Sequence, residues 1–300
     1  MDDPPRKEVR AMGDQHRVKI VVRDVRGTYS PGLQKQLQQV CQNGRRFGSV
    51  LAETRDEHLQ KIMPGVRETM LPASTTPGED CLRYGLFLGT AAQFAIAHWT
   101  NHPKRHYHEE CVRAAYTCAV MSQQLLTQAL LLLPPSARRM VMERCDFAFN
   151  RWECLKWLNG AMNAARAVCA LVTLDCDVWF GTIAEDRDDR IDLIASHPDL
   201  QVNLSIQVQT SYGNIKWTLL REKPDGIHLN KQESRDFIAL WNAAVRKRMN
   251  GKSFVPIVVG VAAGNIQPWI LDHNTLNLEF REVFLHLQKS YPPSAPPSNG

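Results

Sequence analysis

The apolar run FVPIVVGVA at residues 254–262 constrains the fold more than any other stretch of this chain. An unbroken apolar strand is typical of the interior of a sheet that is covered on both faces. An amphipathic pattern at 232–250 precedes it and predicts a helix that ends in Lys and Arg before Gly251. Earlier runs are predicted to be strands, namely DCDVWFGT, RIDLIA, NLSIQVQTS and IKWTLL, the last after a turn at Gly213-Asn214. From about residue 174 the chain is therefore predicted to be α/β.

The middle of the chain has a different pattern, because helical periodicity dominates from residue 82 to residue 170. One helix is predicted at 108–133 and is ended by Pro134, and another is predicted at about 138–170 with a break at Gly160. We expect four regions: a flexible tail at 1–16, a mainly helical region at 17–135, an α/β core at 136–290 and a Pro/Ser-rich tail at 291–300.

Composition narrows the class of protein. The 300 residues are 44% hydrophobic, which is enough for a core, and the net charge of +5 leans mildly towards an anionic partner. The eight cysteines form no C-x-x-C pair, which indicates buried free thiols in a reducing compartment. The apolar stretch 84–99 is too short to predict a membrane span. A cytoplasmic protein with no signal peptide and no membrane partner is expected.

Two predicted strands carry polar side chains among core residues. Gln207 and Gln209 share one face of the strand 204–211, opposite an apolar face. Asp192 lies in the preceding strand, and the loop between them is short enough for a hairpin, so alternation places Asp192 and Gln207 side by side. A carboxylate beside a second side-chain oxygen is a Mg²⁺ site in outline, and the carbonyl of Val208 could add a ligand.

Each of these residues also has a simpler interpretation. Asp192 could cap a turn, and the two glutamines could belong to a polar sheet face that is wetted by solvent. A dense acidic cluster lies upstream, and a solvated acidic turn would explain it; its members are Glu185, Asp186, Asp188 and Asp189.

The order E-D-x-x-x-x-I-D-L-I-A, a loop and then I-Q-V-Q-T-S resembles the core of the PD-(D/E)xK nuclease superfamily. The resemblance covers about 140–265 and implies a restriction-endonuclease-like core of helix, three-strand meander, helix and strand. Asp192 matches the acidic position of the motif, Gln207 its E/Q position and Val208 its apolar position. The resemblance implies Mg²⁺, or Mn²⁺ in its place, held by these three residues.

Gln209 departs from the motif, because it occupies the position of the lysine. In the superfamily that lysine is thought to position the attacking water or to stabilise developing negative charge. A glutamine can orient water but supplies no charge. Lys216 could supply it, because a two-residue turn at Gly213-Asn214 would place Ser211 opposite Lys216 and bring Lys216 to the face of the glutamines.

The resemblance implies a Mg²⁺-dependent nuclease that hydrolyses DNA phosphodiester bonds, with RNA as an alternative substrate and a homodimer as a compatible state. The amides at positions 207 and 209 favour a second hypothesis, a catalytically inactive nuclease-fold module for nucleic-acid binding or protein interaction. In a third hypothesis the helical region is the working part of an interaction protein.

Two further patterns are open to both structural and functional interpretations. The histidines of HWTNHPKRHYHEE, at 98–110, most simply belong to a connection between helices, and the functional alternatives are a basic loop that touches phosphate or a metal site. The basic residues of RKRMNGK, at 246–252, complement the dipole of a helix end and could also contact phosphates in a nuclease-like fold.

Overall fold

The structure is a computed structural model that describes residues 19–20, 78–79, 81–86, 88–89, 92, 108–134, 136, 151–210, 220–223, 226–229, 231–262, 265–270 and 279–292. These residues group into two compact units, which divide between Ala165 and Arg166. The candidate site lies wholly in the second unit.

Two long helices provide most of the described part of the first unit, and the second of them ends within the second unit. Helix α1 spans His108–Leu132 and ends before Pro134, as predicted. Helix α2 spans Arg151–Val172 and continues through Gly160, so the predicted break there is wrong. A glycine costs a helix only about 1 kcal/mol, and the burial of the neighbouring side chains of Leu158 and Ala161 outweighs that cost.

The apolar character of the first unit is that of a packed core. Leu125, Leu126 and Ala129 of α1 are buried, and the hydroxyl of Ser122 donates to the carbonyl of Gly85 at 2.6 Å. Within the described part of the chain, no helix is both long enough and apolar enough to cross a membrane. Cys81, Cys118 and Cys176 are buried thiols, as predicted, whereas Cys169 is exposed.

The second unit is built on a mixed sheet. Its strands are β1 (Asp177–Phe180), β2 (Leu193–Ser196), β3 (Val202–Thr210), β6 (Arg248–Met249), β7 (Lys252–Ala262) and β8 (Asn265–Ile270). Strands β4 (Leu220–Lys223) and β5 (Gly226–Leu229) form a separate hairpin. The helices are α3 (Ile183–Asp189), α4 (Lys231–Arg246) and α5 (Phe280–Ser290).

The strand order follows from the chain connections. Strands β1, β2 and β3 are consecutive antiparallel neighbours, and β3 then pairs in parallel with β7. A parallel pair needs a crossover connection, and α4 lies in the chain between β3 and β7. Strand β7 is central, since it also pairs with β6 and β8. The apolar run at 254–262 is thus a buried inner strand, as predicted.

Helix α4 covers one face of this sheet. Leu240, Ala243 and Ala244 of α4 pack in one cluster with Ile194 of β2 and Val258 of β7. These helix residues recur at intervals of three and four, the spacing that keeps side chains on one face. The fold is therefore mixed α/β, as the periodicity predicted for this part of the chain.

The end of α4 differs from the prediction. The helix stops at Arg246, and Gly251 belongs to a hairpin between β6 and β7 in which Met249 pairs with Lys252. Asn250 and Gly251 have φ values of 53° and 77°. Two positive φ angles are the requirement of the Asn-Gly hairpin turn, so this dipeptide starts the central strand rather than capping the helix. The predicted turn at Gly213-Asn214 lies outside the described residues, as does the predicted strand IKWTLL except for Leu220.

Candidate divalent-cation site

Asp192 lies directly before β2, where the sheet departs from regular pairing. Leu193 pairs with Ile206, yet the N–H of Asp192 also donates to the carbonyl of Ile206 at 2.9 Å. Two residues of one strand thus oppose one residue of the next, which is a β-bulge. Its effect is visible in the core, because Ile191 and Ile194 pack in the same cluster although strict alternation would put them on opposite faces.

The bulge directs the carboxylate of Asp192 towards β3. Its Oδ2 accepts a 2.6 Å hydrogen bond from the N–H of Val208, which belongs to the peptide that joins Gln207 to Val208. N–H and C=O of one strand residue point the same way, so the carbonyl of Val208 also leaves β3 on the side of Asp192. The structure therefore brings together three predicted residues, Asp192, Gln207 and Val208, although through a bulge rather than through simple alternation.

A second carboxyl group contacts Asp192. Asp186, from α3, acts on the pKa of Asp192 through a side-chain hydrogen bond, which lowers that pKa. Burial raises the pKa of Asp192 from 3.8 to about 6, and the Val208 N–H, Asp186 and the charge of Arg190 oppose that rise. The negative charge of this carboxylate is thus poorly solvated. Binding of a cation or a proton to it is therefore favourable.

The polar row of β3 consists of Asn203, Ser205, Gln207 and Gln209. It lies on the face of the sheet that α4 covers, because Asn203 pairs with Phe254 and Gln207 with Val258, and both of these partners pack against α4. Most of this row is too buried to be a polar face that is wetted by solvent, since Asn203 and Ser205 are 0% exposed and Gln207 is 8% exposed. Asn203 donates to the carbonyl of Met249 at 2.9 Å and so ties β3 to the β6–β7 hairpin. Gln209, one alternation beyond Gln207, is half-buried.

The side chain of Gln207 differs in its hydrogen bonding from those of the other buried residues in this row. Its Oε1 atom is buried and makes no hydrogen bond within the described part of the molecule. A buried carbonyl oxygen without a partner costs about 1–3 kcal/mol, so such an oxygen commonly marks a missing water, ion or ligand. The Asn203 Oδ1 atom is in the same condition, but its amide group already bonds to the hairpin.

Helix α3 positions Asp186. Thr182 caps the helix, with its hydroxyl accepting from the N–H of Glu185 while the Glu185 carboxylate accepts from the N–H of Thr182. This reciprocal capping box fixes the start of the helix. Arg190, at φ 58°, ends it in the left-handed conformation, and the chain returns at once to Asp192. Asp186 and Asp192 therefore flank one tight turn.

Gly181 permits the close return of the chain. Its N–H donates to the carbonyl of Asp192 at 2.9 Å, which continues the β1–β2 pairing beyond β2. A Cβ atom at this position would overlap the carbonyl oxygen of Ile191. The absence of a side chain is therefore a condition for the bulge.

The acidic cluster was predicted to be one solvated turn, but its members lie in helix α3 and have different partners. Lys247 donates to Glu185 at 2.8 Å and to Asp189 at 2.5 Å, and Arg187 pairs with Asp188 at 2.6 Å. These three carboxylates are paired with cations of the protein itself. Asp186 contributes a side-chain hydrogen bond that lowers the pKa of Asp192, so it is the member of the cluster that the structure adds to the site.

The basic residues around the end of α4 form hydrogen bonds with other groups of the protein. Lys247 holds α3, Lys252 donates to the carbonyls of His197 and Leu200, and Arg248 donates to those of Val245 and Lys247. Arg246 donates to the carbonyl of Asn242. Lys216, the predicted source of positive charge, lies outside the described residues, as do His98, His102 and His106.

The donor set suits a hard divalent cation. Asp186, Asp192, Gln207 and the carbonyl of Val208 all offer oxygen, which is the ligand type of Mg²⁺ and Mn²⁺. Among the described residues, no group of three or more His, Cys, Asp and Glu side chains could hold a metal ion.

Comparison of the chain with protein-family models, with curated proteins and with solved structures gave no match.

Proposed function

We propose that the second unit is a restriction-endonuclease-like nuclease core that hydrolyses DNA phosphodiester bonds with Mg²⁺ or Mn²⁺. The observation that carries this proposal is the hydrogen bond between the carboxylate of Asp192 and the Gln207–Val208 peptide, because it joins the acidic and E/Q positions of the motif in one place.

The order of elements also supports the proposal. The chain runs from α2 through the meander β1–β2–β3 to α4 and then to β7, parallel to β3. That is the order of helix, three-strand meander, helix and strand that the resemblance implies. Helix α3 and the β4–β5 hairpin are additions to it.

Each residue would have a defined role. Asp192, Gln207 and the Val208 carbonyl would hold the cation, which when bound activates water and neutralises negative charge on the phosphate. The Val208 N–H fixes the orientation of the Asp192 carboxylate. Gln209 would orient the attacking water through its amide, and Lys216 would supply the positive charge that Gln209 lacks.

A nuclease assay tests this function. The full chain would be incubated with supercoiled DNA, linear DNA and single-stranded RNA, each with Mg²⁺, Mn²⁺ or a chelator. We expect metal-dependent cleavage of DNA that falls by roughly a hundredfold or more in Asp192→Asn, because the carboxylate ligand is lost. Cleavage of the same rate in Asp192→Asn would refute the assignment, and a preference for RNA would change the substrate.

A second function has its own supporting observation, the identity of Gln209. In the second unit, of the lysines whose side chains are described, Lys247 and Lys252 are bonded to structural partners and Lys289 is exposed at the end of α5. An inactive nuclease-fold module would bind DNA without cleaving it. The variant Gln209→Lys separates the two functions, since new cleavage in that variant would show that the wild type lacks only the lysine.

A further inference from the structure

Helix α4 carries apolar side chains on two sides, and only one side packs against the sheet. Leu240 and Ala244 belong to the core cluster between the helix and the sheet. Away from that cluster, Ile238 is 58% exposed, Trp241 39% and Val245 59%, and we call these three residues the apolar stripe. They are three of the six large apolar side chains that are exposed in the described part of the chain. Exposed apolar residues that gather in one place commonly mark an interaction site.

The spacing of the apolar stripe is that of a seam between two helices. Ile238, Trp241 and Val245 are separated by three and then by four residues, as the a, d and following a positions of a heptad are. Side chains at this spacing form one row along a helix and pack as knobs between the side chains of a second helix. Ile and Val at a positions are typical of two-stranded coiled coils. The apolar stripe therefore has the form of one half of a two-helix contact.

The charges beside the apolar stripe are positive. Arg246 is 71% exposed, and the carboxylate of Asp189, which lies 3.8 Å from it, is bonded more closely by Lys247. Arg248 is exposed and donates to two backbone carbonyls, which do not neutralise its charge. Among the residues of α4 whose side chains are described, 238–246, none is acidic. A partner with carboxylates beside its own apolar row is therefore complementary to this surface.

The outer face of α4 consists of the apolar stripe and the two adjoining arginines, namely Ile238, Trp241, Val245, Arg246 and Arg248. We propose that this outer face is a docking surface for an amphipathic helix of another protein, one that carries acidic residues beside its apolar row. The apolar row would cover the stripe, and the carboxylates would pair with the arginines. Trp and Arg are among the residue types that contribute most to binding at protein interfaces. The surface is separate from the proposed nuclease function, since none of its residues belongs to the candidate cation site.

Three other occupants fit the outer face less well. A second copy of the chain would bring the same two arginines, and like charges that meet at an interface oppose binding. Nucleic-acid bases stack on flat rings, and the stripe offers one ring, that of Trp241, between two aliphatic side chains. A membrane surface binds a helix in proportion to the apolar area that enters it, and three partly covered side chains offer little.

Selection of helices on the full chain tests the proposal. The probe is a displayed library of three-heptad helices in which the apolar row and the flanking positions are varied. We expect the selected helices to carry Glu or Asp beside the apolar row, and their affinities can be measured by fluorescence anisotropy of labelled synthetic copies. Replacement of the flanking acids by Lys should weaken binding roughly tenfold or more. Failure to select any helix, or selection of helices with basic flanks, would overturn the proposal.

Two matched pairs of variants locate the contact. Ile238→Ser should weaken binding of a selected helix roughly tenfold, because it removes an apolar anchor. Leu285→Ser is its control, since Leu285 is 51% exposed on α5, and its affinity should stay within about twofold of the wild type. Both side chains lie largely in solvent, so the melting temperatures of the two variants should stay close to that of the wild type. Equal weakening in the two variants would overturn the assignment to α4.

The second pair tests the charges. The double variant Arg246→Gln with Arg248→Gln should weaken binding of an acidic helix several-fold at low salt and less at high salt. Lys289→Gln removes a positive charge from α5, where Lys289 is exposed, and should leave the affinity unchanged. An affinity that does not respond to the loss of both arginines would refute the acidic character of the partner.

The other occupants are tested with the same variants. Vesicles of phosphatidylserine and phosphatidylcholine, and single-stranded DNA, are offered to the wild type and to Ile238→Ser, and sedimentation measures self-association of each. If no helix is selected and one of these interactions is lost in Ile238→Ser, the outer face belongs to a membrane, a nucleic acid or a second copy, and a helical partner is refuted. Helix binding that depends on Ile238, with the other interactions absent or unchanged, would support the proposal.

Discussion

The carboxylate of Asp192 accepts a 2.6 Å hydrogen bond from the backbone N–H of Val208, at the point where the β2–β3 pairing is broken by a bulge. The N–H of Val208 would otherwise pair with a carbonyl of the neighbouring strand. A side chain has thus replaced a main-chain acceptor, and a buried charge is placed at the junction of three elements. This contact connects the local irregularity of the sheet with the chemistry of the site.

The stability of the metal-free protein should depend on pH through Asp192. Its folded pKa of about 6 lies above the ordinary value of 3.8, so the folded state binds the proton more tightly than the unfolded state. The favourable contribution is complete below about pH 4 and is lost as pH rises through 6, by up to about 3 kcal/mol. Denaturant unfolding in a chelator at pH 4 to 7 should therefore show the wild type losing stability relative to Asp192→Asn. Parallel pH profiles of the two proteins would contradict this prediction.

Gly181→Ala should destabilise the protein and disturb the site. The new Cβ would overlap the backbone oxygen of Ile191, which cannot rotate away as a flexible side chain could, so we expect a loss of at least about 2 kcal/mol. Because Ile191 precedes Asp192, the affinity for Mn²⁺ should fall too. The control is Gly251→Ala, where φ is 77° and no atom lies within 4 Å of the new Cβ. It should cost about 1–2 kcal/mol of backbone strain and leave Mn²⁺ binding unchanged.

Lys247→Met should loosen α3. The side chain of Glu185 is 8% exposed and that of Lys247 is 24% exposed, so removal of the lysine leaves a nearly buried carboxylate without its cation. We expect a loss of about 1–3 kcal/mol in the free energy of unfolding, which persists at high salt. Arg246→Met is the control, since Arg246 is 71% exposed and 3.8 Å from Asp189, and it should cost only a few tenths of a kcal/mol. Equal losses in the two variants would refute a specific role for Lys247.

Gln207→Glu should lower the stability of the metal-free protein and raise its affinity for a divalent cation. A third carboxyl group near Asp186 and Asp192 in a buried position should lower the melting temperature of the metal-free chain. Added Mg²⁺ should restore more stability to Gln207→Glu than to the wild type, because an ion that binds only the folded state stabilises it in proportion to its affinity. Thermal unfolding with and without Mg²⁺ measures both effects. A variant that gains no more from Mg²⁺ than the wild type would place position 207 outside the cation site.

Part of the site follows from local sequence patterns. Alternation and the short loop predicted that Asp192 would lie next to Gln207, and the structure brings the carboxylate of Asp192 to the peptide that follows Gln207. The helix α3 was missed because its acidic residues suggested a turn, although Thr182 and Glu185 form the T-x-x-E signature of a capping box. Asn250-Gly251 was likewise a hairpin signal that was interpreted as a helix end.

Other features have no local signature. A β-bulge depends on how two strands are paired, and the residues around Asp192 alternate as an ordinary strand would. The cation that bonds to Glu185 and Asp189 is equally non-local, since Lys247 lies 62 residues beyond Glu185 in the chain. Of four neighbouring carboxylates, the sequence could not show which one would face Asp192.

The sequence by itself determined the elements of this protein, because periodicity and apolar runs act over a few residues: an inner strand at β7, an amphipathic α4 and a polar row on β3. Only the tertiary structure decided which charges meet. Packing of α3 against the end of α4 joins Lys247 to two carboxylates, and the bulge before β2 turns Asp192 towards Val208. Electrostatic contacts between distant residues follow from distances in space, and spacing along the chain does not encode them.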